Sequence, residues 1–384
     1  MMDKLVYFDN AATTRIYSEV LKEMLPFFSV MYGNPSGIYE FSDKAKAAVE
    51  ISKERISRLI NAFPEEIYFT SGGTESDNWA LKSIAFMKRN RGRHIITSKI
   101  EHPAVLNTCR YLSNIGYKVS YLDVDKYGMI DLNQLVEMIR RDTILISIMY
   151  ANNEVGTVEP IERIGKIARL NGIVFHTDAV QAFGQIPIDV KKMNIDLLSA
   201  SAHKLHGPKG CGCLYVNKDI GLPPIIHGGS QQNKMRAGTL NVPGIAGMGK
   251  AAQIAANNMD INIKKKIKMR DYIISEIRKE ISDSILNGHE TERLPGNINF
   301  SFKNVEGEAL VILLDSMGIC VSSASACSAG LKTPSHVLTA MGKNNEEAYE
   351  SLRITLSSEN TRAEIMYLLN CVKSAVENIR KMSY

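Results

Sequence analysis

The chain has 384 residues, 45% hydrophobic and 23% charged, with a net charge of +5. That length suits two domains and a large core, and a charge so mild, scattered apart from Lys264–Lys266, argues against nucleic-acid binding. No apolar run approaches the roughly 20 residues that span a bilayer, the start Met1-Met-Asp-Lys-Leu-Val-Tyr-Phe-Asp9 lacks a secretory h-region, and six cysteines without framework spacing suit a reducing cytoplasm.

In chain order, residues 1 to 14 read as an extended segment able to pack with either domain. Apolar, β-branched runs predict strands at Glu66–Thr70, His94–Ser98, Lys118–Leu122, Ile144–Tyr150, Ile173–Thr177, Leu197–Ser201 and Cys211–Val216. Amphipathic stretches between them predict helices at Ser42–Asn61, Thr74–Arg89, Ala104–Asn114 and Ile161–Leu170. The alternation predicts an α/β domain with a mostly parallel seven-stranded sheet flanked by helices. Cys211–Val216 follows its predecessor after only a loop, so it is expected to pair antiparallel. Ala251–Glu280 reads as one long helix. A strand over Gly296–Phe302, helices at Glu306–Ser316 and Arg362–Met382, and a strand-like Ser351–Thr355 give an α+β pattern. The expected division is a large domain over residues 15–255 and a small one from 1–14 with 256–384.

Thr70-Ser-Gly-Gly-Thr-Glu-Ser-Asp-Asn78 leaves a strand and enters a helix. Gly72 and Gly73 admit a ligand close to the backbone, and free helix N–H groups with the Thr74 hydroxyl suit a phosphate. The plainer reading is an N-cap with a glycine turn. His102, in Glu101-His-Pro103, follows a strand end, where α/β sheets bind ligands. It either stacks on a cofactor ring, carries a proton, or merely faces solvent. Asn153 follows another strand and either donates to a cofactor oxygen or caps a helix.

His176-Thr-Asp178-Ala-Val-Gln181 sets a carboxylate at a strand end, with Gln181 three residues on. Ser201-Ala-His-Lys-Leu-His-Gly-Pro-Lys-Gly210 sets Lys204 at the mouth of the next. A lysine desolvated there can condense with a carbonyl. A Schiff-base lysine with a carboxylate for a pyridinium nitrogen is the protein side of a pyridoxal 5'-phosphate site. Cys327 lies in Val321-Ser-Ser-Ala-Ser-Ala-Cys-Ser-Ala-Gly330, so small and polar that an exposed thiol is expected; alone it is either a nucleophile or an inert surface thiol. Cys320 reads as buried. Arg353 either binds an α-carboxylate through two parallel hydrogen bonds or is a surface arginine. Cys211 and Cys213 have no second pair or histidine cluster to complete a site, so no metal is expected and both read as buried strand positions.

Taken in order, these motifs resemble those of the cysteine desulfurases, in the class V branch of the fold-type I pyridoxal phosphate enzymes. Tyr7-Phe-Asp-Asn-Ala-Ala-Thr-Thr14, Tyr32-Gly-Asn-Pro-Ser36, Ser71–Glu75, Glu101–Pro103, Asn152–Glu154, His176–Gln181, Ser201–Lys204, Arg236-Ala-Gly-Thr239, Ser322–Cys327 and Ser351–Arg353 follow the family order nearly end to end. The resemblance implies that Lys204 carries the cofactor covalently, Asp178 pairs with its ring nitrogen, Gln181 meets its ring oxygen and His102 stacks on it. Gly73, Thr74, Ser201 and His203 would hold the phosphate, with Thr239 reaching the site of the other subunit of a homodimer. Asn34, Asn153 and Arg353 would bind the carboxylate of L-cysteine. Cys327 would take its sulfur as a persulfide, leaving alanine. The sulfur would pass to an acceptor protein, such as an iron–sulfur scaffold or a tRNA-thiolation protein. The loop length is similar to that of the iron–sulfur-assembly group. Tyr39 stands where a histidine is usual, Ala324 where glycine is usual, and Cys211 and Cys213 where apolar or small residues are usual. The alternative within the resemblance is a selenocysteine lyase or another class V aminotransferase-type enzyme.

Overall fold

The computed structural model describes residues 5–323 and 333–382. Seven strands form the main sheet. From one edge to the other they are Ile67–Thr70, Gly212–Val216, Leu197–Ser201, Val174–Asp178, Thr143–Ser147, His94–Ser98 and Lys118–Leu122. The last five run parallel. Gly212–Val216 is antiparallel to both of its neighbours, as its short connection requires.

Both faces of the sheet are covered, which is why its strands are near-continuous apolar runs. Side chains alternate between faces. Ile95, Leu145, Val174, Leu197 and Leu214 pack with Trp79, Leu81 and Ile84 of the Gly73–Lys88 helix and Val105, Cys109 and Leu112 of the Pro103–Asn114 helix. Their neighbours Ile96, Ile146, Phe175, Leu198 and Cys213 pack on the other face with Val49 and Ile56 of the Asp43–Leu59 helix and Ile161 and Ile164 of the Ile161–Leu170 helix. Cys211 and Cys213 are buried, as read, and burial pushes the Cys211 thiol up to about 12.

A second apolar body is built on the antiparallel strands Ser284–Leu286, Asn297–Phe302 and Ser351–Thr355, with the Gly307–Ser316 and Arg362–Met382 helices. The extended N-terminal segment joins both bodies. Val6 and Phe8 are buried in the second, where Val6–Tyr7 pairs in parallel with Ile319–Cys320. Beyond them Thr14 bonds the backbone of His203 in the first. Cys320 is only partly buried, because the two-stranded ladder it occupies leaves it at an edge.

Two expectations shift, and one strand was not anticipated. The strand read as Ile144–Tyr150 ends at Ser147, because the buried Glu101 carboxylate accepts the Met149 N–H at 2.9 Å. The long helix runs Val242–Glu280, beginning well before residue 251. Asn241 caps it, accepting from Gly244 N at 3.2 Å, with Pro243 in its first turn, a start signal legible in the sequence. The short Ser284–Leu286 strand has too little pattern to read.

The expected division at residue 255 falls inside that helix, whose start packs in the first body and whose Ile273, Ile274 and Ile277 pack in the second. Between them Lys266 is only 5% exposed and donates to Gln185 Oε1. Burial lowers its pKa from 10.5 to about 8. The unfolded chain therefore holds this proton more tightly than the folded one, and the cost is present in full below pH 8. By linkage it is on the order of 3 kcal/mol. Lys266→Met, which also forfeits the Gln185 bond, is expected to gain about 2 kcal/mol at pH 7. In thermal unfolding the gain shrinks as pH rises from 8 towards 10.5. A gain that is flat with pH would show that the lysine is hydrated.

Candidate active site

The chain steps from His94–Ser98 out to the edge strand Lys118–Leu122, then back to Thr143–Ser147 on the other side. That reversal opens a crevice at the carboxyl ends of the strands. Glu101 and His102 follow the first of these strands, and Asn152 and Asn153 the third. Asp178 ends Val174–Asp178, and Lys204 lies in the single turn after Leu197–Ser201.

One cavity of about 430 Å³ gathers ten of the expected site residues: Gly73, Thr74, His102, Asn153, Asp178, Gln181, Ser201, His203, Lys204 and Arg353. Asn34 and Thr239 do not line it and are exposed. Cys327 lies outside the described residues, although Ser322, shortly before it, lines the cavity.

At one end, the Gly73–Lys88 helix points its first turn at the cavity, with no side-chain cap on its leading N–H groups. A Cβ on Gly73 would lie 2.5 Å from Val180 Cγ2, and one on Gly212 would lie 2.6 Å from Gly72 Cα. Glycine is needed for that close fit. Glu75 accepts from Ser71 N at 2.8 Å and takes Arg236 in a two-point pair at 2.9 and 3.1 Å. That pair ties the Arg236–Thr239 segment to the turn.

At the other end, carboxylates converge. Asp178 is 6% exposed and accepts from Val180 N at 2.9 Å. Asp77, His102 and Asp178 place their polar atoms within 4.8 Å of one another. Asp77 is 1% exposed, and its Oδ1 has no hydrogen-bond partner among the described residues. Burial raises the Asp178 pKa, while His102 and Lys204 draw it down. Burial raises Asp77 well above the carboxylate range, and Asp178 adds to this. Glu101, pushed up to about 8 by burial, accepts from Ser98 Oγ at 2.6 Å. Behind them His176 is held neutral, its pKa lowered to about 3 by burial, between Ser147 and Ser199. His102 caps its helix by accepting Ala104 N at Nδ1, 3.1 Å, and burial lowers its pKa.

The N-terminal segment covers the site. Lys204 Nζ donates to Ala11 O and Ala12 O, and Gln181 Nε2 to Ala11 O at 3.1 Å. Arg353, 3% exposed, pairs with Asp9 at 2.8 Å and donates to Asn153 O at 3.1 Å. Its Nε has no partner among the described residues. A buried guanidinium with a donor unmet, at a cavity wall, is suited to a carboxylate.

Asp9, Asp77 and Glu101 were missed as site residues. Asp9 and Asp77 stand inside motifs already singled out, and Glu101 beside His102. What the sequence lacks is the pairing across 344 positions that joins Asp9 to Arg353.

The family model of class-V aminotransferases matches residues 6–368. Cysteine desulfurase IscS of Methanosarcina thermophila is 51% identical over 99% of this chain and 94% of its own. That of Dictyoglomus turgidum is 49% identical over 100% of this chain and 97% of its own. Among solved structures, a NifS-like protein superposes with a TM-score of 0.92 at 39% identity, covering 97% of this chain and all of that one. SspA in complex with cysteine superposes at 0.83, also with 39% identity, covering 93% of this chain and 100% of that one.

Proposed function

The chain belongs to the class-V aminotransferase family, in its cysteine desulfurase branch, and from that premise we propose how its own residues divide the work on L-cysteine. The reading rests on one observation: Lys204, Asp178 and the unmet donor of Arg353 share one cavity.

The residues fit pyridoxal 5'-phosphate. The uncapped helix start at Gly73, with Thr74, Ser201 and His203, would hold the phosphate. Asp178 would hold the ring nitrogen, Gln181 the ring oxygen and His102 one ring face, and Lys204 would carry the cofactor. The buried Asp178 carboxylate, lining the same cavity as Lys204, suits a cationic ring better than a neutral one. When bound, the cofactor supplies a sink for the electron pair released at the substrate Cα.

Arg353 and Asn153 bind and orient the substrate carboxylate. The Lys204 amine, when free, would take the Cα proton and return one later. Cys327 thiolate attacks the substrate sulfur. The S–S bond of a Cys327 persulfide forms as the C–S bond breaks. The electron pair stays with carbon, which is protonated to give alanine. The persulfide passes to an acceptor protein of iron–sulfur assembly or tRNA thiolation. Residues 15–255 serve as the cofactor-holding domain, with 1–14 and 256–384 as the smaller one.

A homodimer completes the reading. Phe28 (61% exposed), Val30 (65%), Tyr32 (68%) and Ile38 (103%) surround Asn34 in the chain, apolar side chains suited to a subunit interface. Asn34 and Thr239, away from their own cavity, would then serve the partner's. Among the described residues no helix is long and apolar enough to cross a membrane.

Cys327→Ser is expected to cut alanine release at least about a hundredfold while the visible cofactor band and its response to cysteine survive. Without reductant, wild-type enzyme given cysteine gains one sulfur in mass on the peptide bearing Cys327. Full alanine release by the variant would make Cys327 a bystander.

A further inference from the structure

One buried side chain joins the two bodies of the fold beside the substrate-binding groups, and the mechanism above does not use it. Arg293 is 5% exposed. Its guanidinium donates to His289 O at 2.8 Å, Val155 O at 2.8 Å, Asn297 O at 3.4 Å and Asn287 O. Among the described residues no carboxylate lies within ion-pair distance of it. Its donors are spent on backbone carbonyls, and these come from both sides of the seam: Val155 from the Asn152–Thr157 turn, the others from the approach to the Asn297–Phe302 strand.

The same turn is stitched there at further points. Leu294 N donates to Gly156 O at 2.8 Å and Val158 N to Glu292 O at 3.0 Å. Thr157 Oγ1 accepts from His289 N at 3.0 Å. Gly156 has φ +80, and a Cβ there would sit 2.7 Å from Asn297. The stitched turn carries Asn153, whose carbonyl accepts from Arg353 Nη1 at 3.1 Å and from Asn297 Nδ2 at 3.5 Å. Arg353 lies opposite Asn299 on the paired strands.

We propose that Arg293 is a positioning residue for the substrate carboxylate: by binding carbonyls from both sides of the seam it holds the Asn152–Thr157 turn, and through Asn153 O the Arg353 guanidinium, in one fixed place. The proposal rests on the assignment of Arg353 to the carboxylate. A planar fork of five donors satisfies several divergent carbonyls at once. A lysine reaches fewer of them from a single point, and an alanine removes this donor from all four, three of them in buried bonds. The displaced element is then the turn under Arg353, so the loss falls on carboxylate binding rather than on proton transfer at Lys204.

The test compares Arg293→Ala, Arg293→Lys and Gly156→Ala as cofactor-loaded enzymes. Arg293→Ala is expected to raise KM for L-cysteine about tenfold or more while kcat changes less than about threefold. L-alanine, titrated by its effect on the cofactor band, should weaken by the same factor. Added guanidinium ion should restore the KM of Arg293→Ala and leave wild type unchanged. Gly156→Ala, with Arg293 intact, pushes Asn297 from the other side and should raise KM in the same direction. Should Arg293→Ala fail to fold, Arg293→Lys and Gly156→Ala decide. A folded variant with unchanged KM and alanine affinity, or with only kcat or thermal stability reduced, overturns the proposal. Each variant is compared with wild type, so a wild type that does not turn over cysteine would instead overturn the functional reading.

Discussion

Lys204→Ala is expected to abolish turnover of L-cysteine, by about four orders of magnitude or more. Two losses compound. In the proposed roles of Lys204, the chain would lose its covalent hold on the cofactor, and the substrate would lose the amine that moves its Cα proton. The structure shows why no neighbour substitutes. His102, also at the cavity, has its Nδ1 engaged by Ala104 N, and burial disfavours its protonated form. His203 is turned to Thr13 Oγ1 at 3.2 Å, and burial, with Lys204 adding, lowers its pKa to about 4. Neither is placed as the lysine is, under the carbonyls of Ala11 and Ala12. Borohydride treatment should fix the cofactor to wild type at position 204 and to the variant nowhere. The fold should hold, since Lys204 is half-buried and its strand, Leu197–Ser201, packs through Leu197, Leu198 and Ala200. Turnover within tenfold of wild type, or a label mapped elsewhere, would end the assignment of Lys204.

The position of that lysine was legible because two short-range signals coincide: an apolar run sized for a strand, and a polar loop with Gly207 and Pro208 after it. Asp178, His102 and Asn153 were legible in the same way, the first at the end of a strand and the other two in the loops that follow one. A parallel sheet gathers such ends on one edge, so local reading sufficed to collect them. What was not legible depends on chain segments far apart. Arg353 meets Asp9 only because the Ser351–Thr355 strand lies beside the extended N-terminal segment. Asp77 sits on a helix face that looks like an ordinary amphipathic position until the helix is docked on the sheet. The seam around Arg293 leaves no periodic trace, because its bonds go to backbone carbonyls, which every residue has.

Asp178→Asn is expected to lower kcat by about three orders of magnitude, about 4 kcal/mol of transition-state stabilisation. The amide nearly matches the carboxylate in shape and keeps an acceptor for Val180 N, which Asp178 Oδ1 now accepts at 2.9 Å. It carries no charge. In the proposed role of Asp178, the amide would no longer favour a protonated ring nitrogen, and the bound cofactor would be a weaker electron sink. Cofactor affinity should fall as well, since ring and acid no longer attract. The residual rate should carry a signature. Asp77 is second in line, within 4.8 Å of the same place, and burial, then the charge on Asp178, raise its pKa. Removing that charge lowers the Asp77 pKa, so D178N should gain activity as pH rises and Asp77 ionises. Asp77→Asn added to D178N should leave a flat, lower profile. The pH dependence of kcat and of the cofactor band, measured on wild type and both variants, checks this. A single variant as active as wild type would take the ring-nitrogen role from Asp178; a profile unchanged by Asp77→Asn would show that the second acid stays neutral throughout.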